Sequence, residues 1–337
     1  MPEERTGKDD KGLTHAREKT PAMPQAGARG RWADTPRDIP RPGWKQILLR
    51  VWERIGRENI SIIAAGVAFY AFLAIPSALT ALVALYGLAF DPGNVQRQVT
   101  ALAGVVPAEA LTVISAQLTA VTSSSNSTLG VSFVIALLVA IWGARSGMST
   151  LVTALNIAYD EEEKRGFVRF QGTTLALTAG AVIFAVVSLA LVAVMPAVIG
   201  FLPLAGAGKT LVAVLRWPVL LLLVVVALTA VYRYAPSRRA PRWRWANWGA
   251  VVATVLWLLG SALFSVYVGQ FAAYNKTYGS LGAVVVLMMW LYVSAFAVLL
   301  GAELNAEMER QTERDTTEGA EKPMGKRGAT VADEACG

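Results

Sequence analysis

A lone arginine, Arg145, lies inside a long apolar stretch of the chain, within the run WGARSGMST. If that stretch crosses a bilayer, the buried guanidinium is costly unless it is paired or hydrated. It could contact an anion or gate a polar cavity. It could also form a salt bridge that fixes helix positions, or extend along its apolar stem to the membrane surface. The carboxylate of Glu303 is the first expected partner, although Glu303 could equally be a plain interfacial carboxylate.

Other polar side chains recur at helical spacing in the apolar stretches. One stripe holds Arg145, Ser149 and Asn156, and another holds Asn59, Gly66, Tyr70 and Ser77. In the second stripe the separations of 7, 11 and 18 residues are close to whole helical turns, so its members share a face. Such stripes are expected to face neighbouring helices rather than lipid. The candidates for an intramembrane polar site are therefore Arg145, Ser149, Asn156, Glu303, Asn59 and Tyr70.

Two loops carry further binding candidates. An outer turn over 274–282 offers Tyr274, Asn275, Lys276 and Tyr278, although tyrosines at an interface are also ordinary residues of the aromatic belt. A loop over 232–248 interleaves arginines with tryptophans. Juxtamembrane basic segments attract anionic lipid headgroups, which favours membrane lipid over single-stranded nucleic acid as the partner. The expected lipid contacts are Arg238, Arg239, Arg242 and Arg244.

The sequence offers little for metal or covalent chemistry. Its one histidine is His15 and its one cysteine is Cys336, both in polar terminal segments. A metal-dependent nuclease needs several converging His and Asp ligands, which this chain cannot supply. The acidic run over 160–163 is followed at once by Lys164 and Arg165, which favours a solvated helix end over a cation site. With no nucleophile–base pair or phosphate loop in the sequence, we predict a protein that is not an enzyme and uses no metal and no cofactor.

Long apolar segments must position these groups. The 337 residues are 54% hydrophobic and only 16% charged, whereas soluble domains carry about 25% charged residues. About 20 apolar residues suffice for a helix to cross a bilayer, and a helix satisfies its own backbone there. We therefore predict an all-α polytopic membrane protein with six transmembrane helices. The predicted spans are 60–90, 129–159, 173–201, 211–232, 249–272 and 283–307.

Segments outside the spans complete the membrane domain, which we place at 44–309. Ile47 and Val51 share a helical face over 44–59 with arginines opposite, which predicts an amphipathic helix in the cytoplasmic interface. A soluble helix packed beneath the membrane domain is the alternative. Two short helices are expected at the outer surface between 95 and 121. The polar tails, 1–43 and 310–337, are predicted to be disordered and cytoplasmic.

Positive charge is distributed unevenly among the loops, and short cytoplasmic loops carry the excess of Lys and Arg. With the N-terminus inside, the three outer positive residues are Arg97, Lys209 and Lys276. The twelve inner ones are Lys45, Arg50, Arg54, Arg57, Lys164, Arg165, Arg169, Arg233, Arg238, Arg239, Arg242 and Arg244. Six spans with both termini in the cytoplasm is the arrangement that satisfies this bias.

Three runs of sequence resemble the YihY/virulence factor BrkB family. They are AAGVAFYAFLAIPSALTALVALYG from Ala64, WGARSGMSTLVTALNIAYDEEEKRGF from Trp142, and the stretch YRYAPSRRAPRWRWANWGAVV onward from Tyr232 to Glu307. The resemblance covers about 44–309 and implies a multi-pass protein of the bacterial inner, or plasma, membrane. An old label for the family is ribonuclease BN, and the missing metal ligands argue against that activity here.

Two functions from different classes are open. A transporter or translocator of lipids or small solutes, supporting envelope integrity, is indicated by Pro76 inside the first span and by the polar stripes. A non-transporting envelope scaffold or interaction protein is indicated by the absence of a clear substrate site in the sequence. A continuous polar cavity reaching Arg145 would favour the first. A closed bundle with Arg145 neutralised by a neighbour would favour the second.

Overall fold

The computed structural model describes residues 29–89, 126–194, 206–270 and 280–335. These ranges form eight α-helices and no strand, which confirms the all-α prediction. The helices are α1 (Arg41–Arg57), α2 (Ile60–Ala89), α3 (Asn126–Ala158), α4 (Phe167–Leu189), α5 (Gly206–Tyr234), α6 (Trp243–Gln270), α7 (Ser280–Arg310) and α8 (Thr330–Asp333). Helix α4 continues into a π-helical turn at Ala190–Val194. The expected outer-surface helices over 95–121, and the outer-turn candidates Tyr274, Asn275, Lys276 and Tyr278, lie outside the described residues.

Four helices in the described ranges are long and apolar enough to cross a membrane. They are Phe167–Val192, Thr210–Tyr234, Trp243–Val268 and Val284–Arg310. Helix α1 and the first part of α2 form a pair bent by 66°, which would raise the number to five if the pair is one span. The chain is thus a polytopic membrane protein, and the count of six stays a prediction. Apolar side chains such as Ile183, Leu222 and Leu263 are more than half exposed, as suits helices whose solvent is lipid.

The break between α1 and α2 lies where the amphipathic segment was expected to end. Asn59 has a φ of 53°, in the left-handed region that Asn tolerates better than most residues. Helix α1 then packs against α7 through buried Ile47 and Val51. Its other apolar face, which includes Leu48 and Trp52, is exposed. The helix therefore packs on the domain and presents an exposed apolar surface, while its position in the cytoplasmic interface stays a prediction.

Helix α7 lies at the centre of the described helices, in contact with α1, α2, α3, α6 and α8. It crosses α6 closely at Gly249 and Gly301, where a side chain on either glycine would collide with the other helix. Asn305 reinforces this crossing by accepting the Gly249 N–H at 2.8 Å and donating to the Ala246 carbonyl at 3.1 Å. Small residues let two helix backbones approach in this way.

The C-terminal segment is packed against the helices, contrary to the predicted disordered tail over 310–337. Thr316, Thr317 and Val331 are buried, and Val331 joins the main hydrophobic core. The Arg327 guanidinium donates to four backbone carbonyls, those of Glu313, Arg314, Lys322 and Ala332. Side chain–backbone bonds of this kind order a polar segment that has too few apolar residues to suggest order from composition.

The described part of the N-terminal tail, from residue 29 onward, is packed as well. Ala33 and Ile39 are buried, and the Thr312 hydroxyl donates to the Ala33 carbonyl at 2.8 Å. Gln311 donates to the carbonyl of Arg29 at 2.8 Å. The two segments predicted to be disordered therefore order each other where they meet.

Substituting Gly249 by Ala should destabilise the fold. The added Cβ would meet the Asn305 side chain at 2.5 Å and the Gly301 carbonyl closer still, so the α6–α7 crossing must open. Overpacking of this kind costs about 1–3 kcal/mol. Gly66→Ala is the matched control, because a Cβ there meets nothing within 4 Å and alanine favours a helix by up to about 1 kcal/mol. Thermal unfolding in detergent checks both, and equal melting temperatures for the two variants would contradict the close crossing.

Candidate functional site

A cavity of about 1220 Å³ lies between helices α3, α4, α5, α6 and α7. Its wall is apolar and includes Leu177, Phe184, Val224, Leu228 and Trp257. One end is lined by six positively charged side chains, those of Lys164, Arg165, Arg169, Arg233, Arg238 and Arg239. The cavity therefore combines an apolar interior with a basic end.

Helix α4 supplies one whole side of the cavity because its lining residues recur every three or four positions. The series runs from Arg169 through Thr173, Leu177 and Gly180 to Phe184, which is one face of a helix. Its 15 steps correspond to about 22 Å at 1.5 Å per residue. The hydrocarbon core of a bilayer is about 30 Å thick, so this wall exceeds the depth of one leaflet.

Carboxylates compensate four of the six cations at the basic end. The most deeply buried pairing is Arg238 with Glu309, 2.7 Å apart with both side chains fully buried. Arg165 pairs with Glu163 at 2.6 Å, Arg233 pairs with Glu318, and Lys164 lies 3.8 Å from Glu161. Among the described residues, Arg169 and Arg239 have no carboxylate partner.

The predicted pair of Arg145 with Glu303 does not form. The Arg145 Nε donates to Gln171 Oε1 at 2.9 Å, so α3 is tied to the neighbouring helix α4. Glu303 is fully buried and instead accepts from the Nε of Arg54 at 2.8 Å. The bend after α1 brings Arg54 beneath α7, and nothing local in the sequence signals that approach. Arg145 is not among the residues that line the cavity.

Asn156 links two loops by hydrogen bonds and does not take part in a polar site within the membrane. Its Oδ1 accepts the Ser237 N–H at 2.7 Å, and its Nδ2 donates to Glu163 at 3.0 Å. Ser149 is half-buried, and its backbone carbonyl accepts from the Thr153 hydroxyl. The stripe on α3 is therefore divided among separate structural contacts.

The expected stripe on α2 does not face its neighbours in the described part of the helix. Asn59 and Tyr70 are exposed, and a Cβ on Gly66 would meet nothing within 4 Å. The buried face of α2 instead holds Ile60 and Ala64, which pack in the main core. Apolar packing therefore decided the orientation of this helix, against the polar stripe.

The basic loop is covered by the C-terminal segment, which changes the expected lipid contacts. The Arg238 side chain is fully buried, so it cannot lie at a membrane surface. The Arg242 Nε donates to the Thr317 carbonyl at 3.1 Å, and the Arg239 N–H donates to the Gly328 carbonyl at 2.8 Å. Arg244 is exposed, and for it the predicted contact with anionic headgroups stays a prediction.

A buried ionic network at the end of α7 was missed by the sequence reasoning. Arg54 lies 2.6 Å from Glu58, 2.8 Å from Asp160 and 2.8 Å from Glu303. Arg310 pairs with Asp160 and with Glu307 at 2.9 Å. The available signal was the spacing of Glu303, Glu307 and Arg310, four and three residues apart on one face of α7.

The acidic run over 160–163 belongs to this architecture and is not a solvated helix end. Burial opposes ionisation of Asp160, but hydrogen bonds from Arg54 and Arg310 outweigh it and lower its pKa. Glu161 accepts the Thr330 N–H at 2.6 Å and so holds the C-terminal segment. Burial also opposes ionisation of Glu163, but bonds from Arg165 outweigh it and lower its pKa to about 2. In the ranges that the structure covers, no three His, Cys, Asp or Glu side chains are grouped to hold a metal ion.

Comparison with known proteins gives this architecture a family. Residues 51–325 match the family model described as Virulence factor BrkB. The chain belongs to that family. This confirms the resemblance found in the sequence, and no solved structure matches the chain.

Three curated relatives that match the chain are named as membrane or ribonuclease-like proteins. The ribonuclease-like protein YfkH of Bacillus subtilis is 38% identical over 180 residues, covering 52% of this chain and 65% of that protein. A UPF0761 membrane protein of Idiomarina loihiensis is 36% identical over 93 residues, covering 28% of this chain and 32% of that protein. A Vibrio cholerae UPF0761 membrane protein is 34% identical over 94 residues, 28% of this chain and 31% of that protein. The chain thus spans less than two thirds of the length of each.

Replacing Arg238 by Gln should destabilise the protein strongly, because it leaves the buried Glu309 carboxylate without its cation. Breaking a buried pair from one side costs about 3–5 kcal/mol, whereas removing both charges restores much of the loss. The double variant Arg238→Gln with Glu309→Gln should therefore melt closer to the wild type than either single variant. Thermal unfolding of the four proteins in detergent measures the coupling, and strictly additive effects would mean that the pair is not the stabilising contact.

Proposed function

We propose that this protein is a transporter that moves amphiphilic molecules across the membrane, with the cavity as its binding site. The observation that carries the proposal is an apolar wall longer than one leaflet that ends in six positive side chains. A ligand that satisfies both ends has an apolar chain and a negative headgroup. Such a molecule already resides in the bilayer from which the helices would admit it.

The cavity is open on one side and has the dimensions of a ligand pocket. Ligand pockets usually measure about 300–1000 Å³, and this cavity of about 1220 Å³ lies just above that range. The cations gather at one end of this space, where they would meet a negatively charged headgroup. These considerations favour transport over a purely structural bundle.

The proposal does not depend on Arg145. That residue does not line the cavity, and its partner Gln171 is neutral. Arg145 therefore neither faces a polar cavity nor pairs with a neighbour that neutralises its charge. The α3 residue nearest to Arg145 in sequence that lines the cavity is Met148, three residues closer to the loop. Transport is therefore argued from the basic end alone.

A scaffold that transports nothing is the second candidate, and one observation favours it. Leu48, Leu49 and Trp52 form an exposed apolar face on α1, which could hold another protein or the membrane surface. Ribonuclease-like is part of the name of YfkH, and that name identifies no residues of this chain that could perform such chemistry. We propose no enzymatic activity for this chain.

We also propose an orientation in the plasma membrane of a bacterium, with the basic end and both tails in the cytoplasm. The distribution of positive charge supports it, because the cations of the cavity mouth belong to the inner set of loops. The ionic network and the packed C-terminal segment lie at this same end.

A bulky side chain placed in the cavity should block transport without unfolding the protein. Gly180 lines the cavity and a Cβ there meets nothing within 4 Å, so Gly180→Trp fills the space that a ligand would use. Gly172→Trp is the matched control, since Gly172 lies on the same helix in equally open space but does not line the cavity. The assay follows fluorescently labelled phosphatidylglycerol crossing the bilayer of reconstituted vesicles. We expect at least a fivefold slower rate for Gly180→Trp and an unchanged rate for Gly172→Trp. A wild-type rate equal to that of protein-free vesicles would overturn the transport proposal.

Single cysteines test the orientation. With Cys336 replaced by Ser, a cysteine at Lys276 should react with an impermeant thiol reagent applied to cells whose outer layers are permeable to it. A cysteine at Lys322, an exposed residue of the C-terminal segment, should react only after the plasma membrane is opened. Reaction at position 322 in intact cells would reverse the proposed orientation.

A further inference from the structure

Three arginines at the basic end carry buried nitrogen donors that no acceptor meets. They are the Nε of Arg233, the Nε of Arg238 and Nη1 of Arg239, all on residues that line the cavity. A buried donor without a partner is costly, and native structures leave few of them unless a ligand or water completes the site. These three atoms are closed to solvent, and the guanidiniums of Arg233 and Arg238 lie over the rings of Trp243 and Tyr159, so the charge and shape of the cavity are what indicate its ligand.

The charge balance at this end specifies the sign of that ligand. Glu309, Glu318, Glu163 and Glu161 offset four of the six cations, which leaves Arg169 and Arg239 uncompensated among the described residues. Arg239 is the only one of the three arginines with an unmet donor that also lacks a carboxylate partner. A choline or other cationic headgroup would add to this surplus, whereas a phosphate oxygen would offset it. Guanidinium groups bind phosphate with paired, charge-assisted hydrogen bonds.

The apolar wall specifies what is attached to the phosphate. From Arg169 to Phe184 the α4 face extends about 22 Å without a further charge, which matches a chain of leaflet length and exceeds a small phosphorylated solute. Apolar side chains from α5 and α6, among them Leu228 and Trp257, face the same space. An acyl chain there would contact apolar side chains.

We infer that the cavity binds an anionic phospholipid, with its phosphate on Arg239 and Arg169 and its acyl chains along α4. This inference rests on the proposed function, because it takes the cavity as the binding site. Arg233 and Arg238, which line the same end, remain paired with Glu318 and Glu309. Recognition is thus assigned to the mouth of the cavity, where Arg169 is exposed and Arg239 is half-buried, and not to the outer surface of the basic loop at Arg244.

Equilibrium binding tests the inference. Purified protein in neutral detergent is offered equal amounts of phosphatidylglycerol and phosphatidylcholine, and retained lipid is counted by native mass spectrometry. The wild type should retain phosphatidylglycerol in preference. Arg239→Gln should lower that retention at least fivefold, because it removes an uncompensated charge and the unmet Nη1 donor. The Arg239 N–H bond to Gly328 uses the main chain and is kept in the variant, whereas the 3.3 Å bond from Nη2 to the Ala320 carbonyl is lost.

Arg244→Gln is the matched control. It makes the same change of charge in the same loop, but Arg244 is exposed and does not line the cavity. Its phosphatidylglycerol retention should equal that of the wild type. Equal losses in both variants would mean that the basic loop only attracts anionic lipid at its surface, and this would overturn the inference. Melting temperatures of both variants are measured alongside, and Arg239→Lys, which keeps the charge without the planar fork, should retain an intermediate amount if Arg239→Gln proves unstable.

A second arm separates a lipid from a free phosphate. Inorganic phosphate should displace little phosphatidylglycerol, and Gly180→Trp should lower lipid retention while leaving the basic end intact. Displacement by millimolar inorganic phosphate, with no effect of Gly180→Trp, would mean that the site takes phosphate alone and would overturn the inference. Preferential retention without movement in vesicles would leave the inference standing and overturn the transport proposal. Lipid movement in vesicles, with no lipid preference and no effect of Arg239→Gln, would overturn the inference and leave the transport proposal standing.

Discussion

The Arg54 guanidinium is the contact on which the described architecture depends. It is buried, and it meets carboxylates from the residue that follows its own helix, from the α3–α4 loop and from α7. These three elements are far apart in the chain, so one side chain fixes the mutual position of the amphipathic helix, the loop and the central span. A cation withdrawn from water to this extent is tolerable only because several acceptors surround it.

The acidic loop over 160–163 connects this network to the cavity. Asp160 is held by Arg54 and Arg310, which places the next carboxylates of the run at fixed positions. Glu161 then fixes the C-terminal segment at Thr330, and Glu163 fixes Arg165 and Asn156. Asn156 in turn holds the backbone of the basic loop at Ser237. The mouth of the cavity is thus positioned by a chain of polar contacts that begins at the far side of α7.

The C-terminal segment turns a basic loop into a wall. Thr317 bridges to Pro241, Thr316 accepts the Arg242 N–H at 2.9 Å, and Glu318 pairs with Arg233. Because of this cover, several arginines face inward, some with carboxylates and some without. The same positive residues that suggest a surface for lipid headgroups in the sequence are partly enclosed by the fold in three dimensions. The family assignment agrees with a membrane protein, and the cavity is the observation from which transport is proposed.

The sequence by itself determined the membrane class, the all-α fold and most helix positions. The predicted spans 211–232, 249–272 and 283–307 lie within a few residues of Gly206–Tyr234, Trp243–Gln270 and Ser280–Arg310. This follows because hydropathy and helical spacing are local properties that a chain carries without reference to its neighbours. Only the tertiary structure decided the partners of the charged groups. Arg54 and Glu303 are 249 residues apart, and Arg145 found Gln171 instead of Glu303, because pairing depends on which helices become adjacent. Order in the tail likewise came from contacts with Arg239 and Glu161 that its polar composition does not announce.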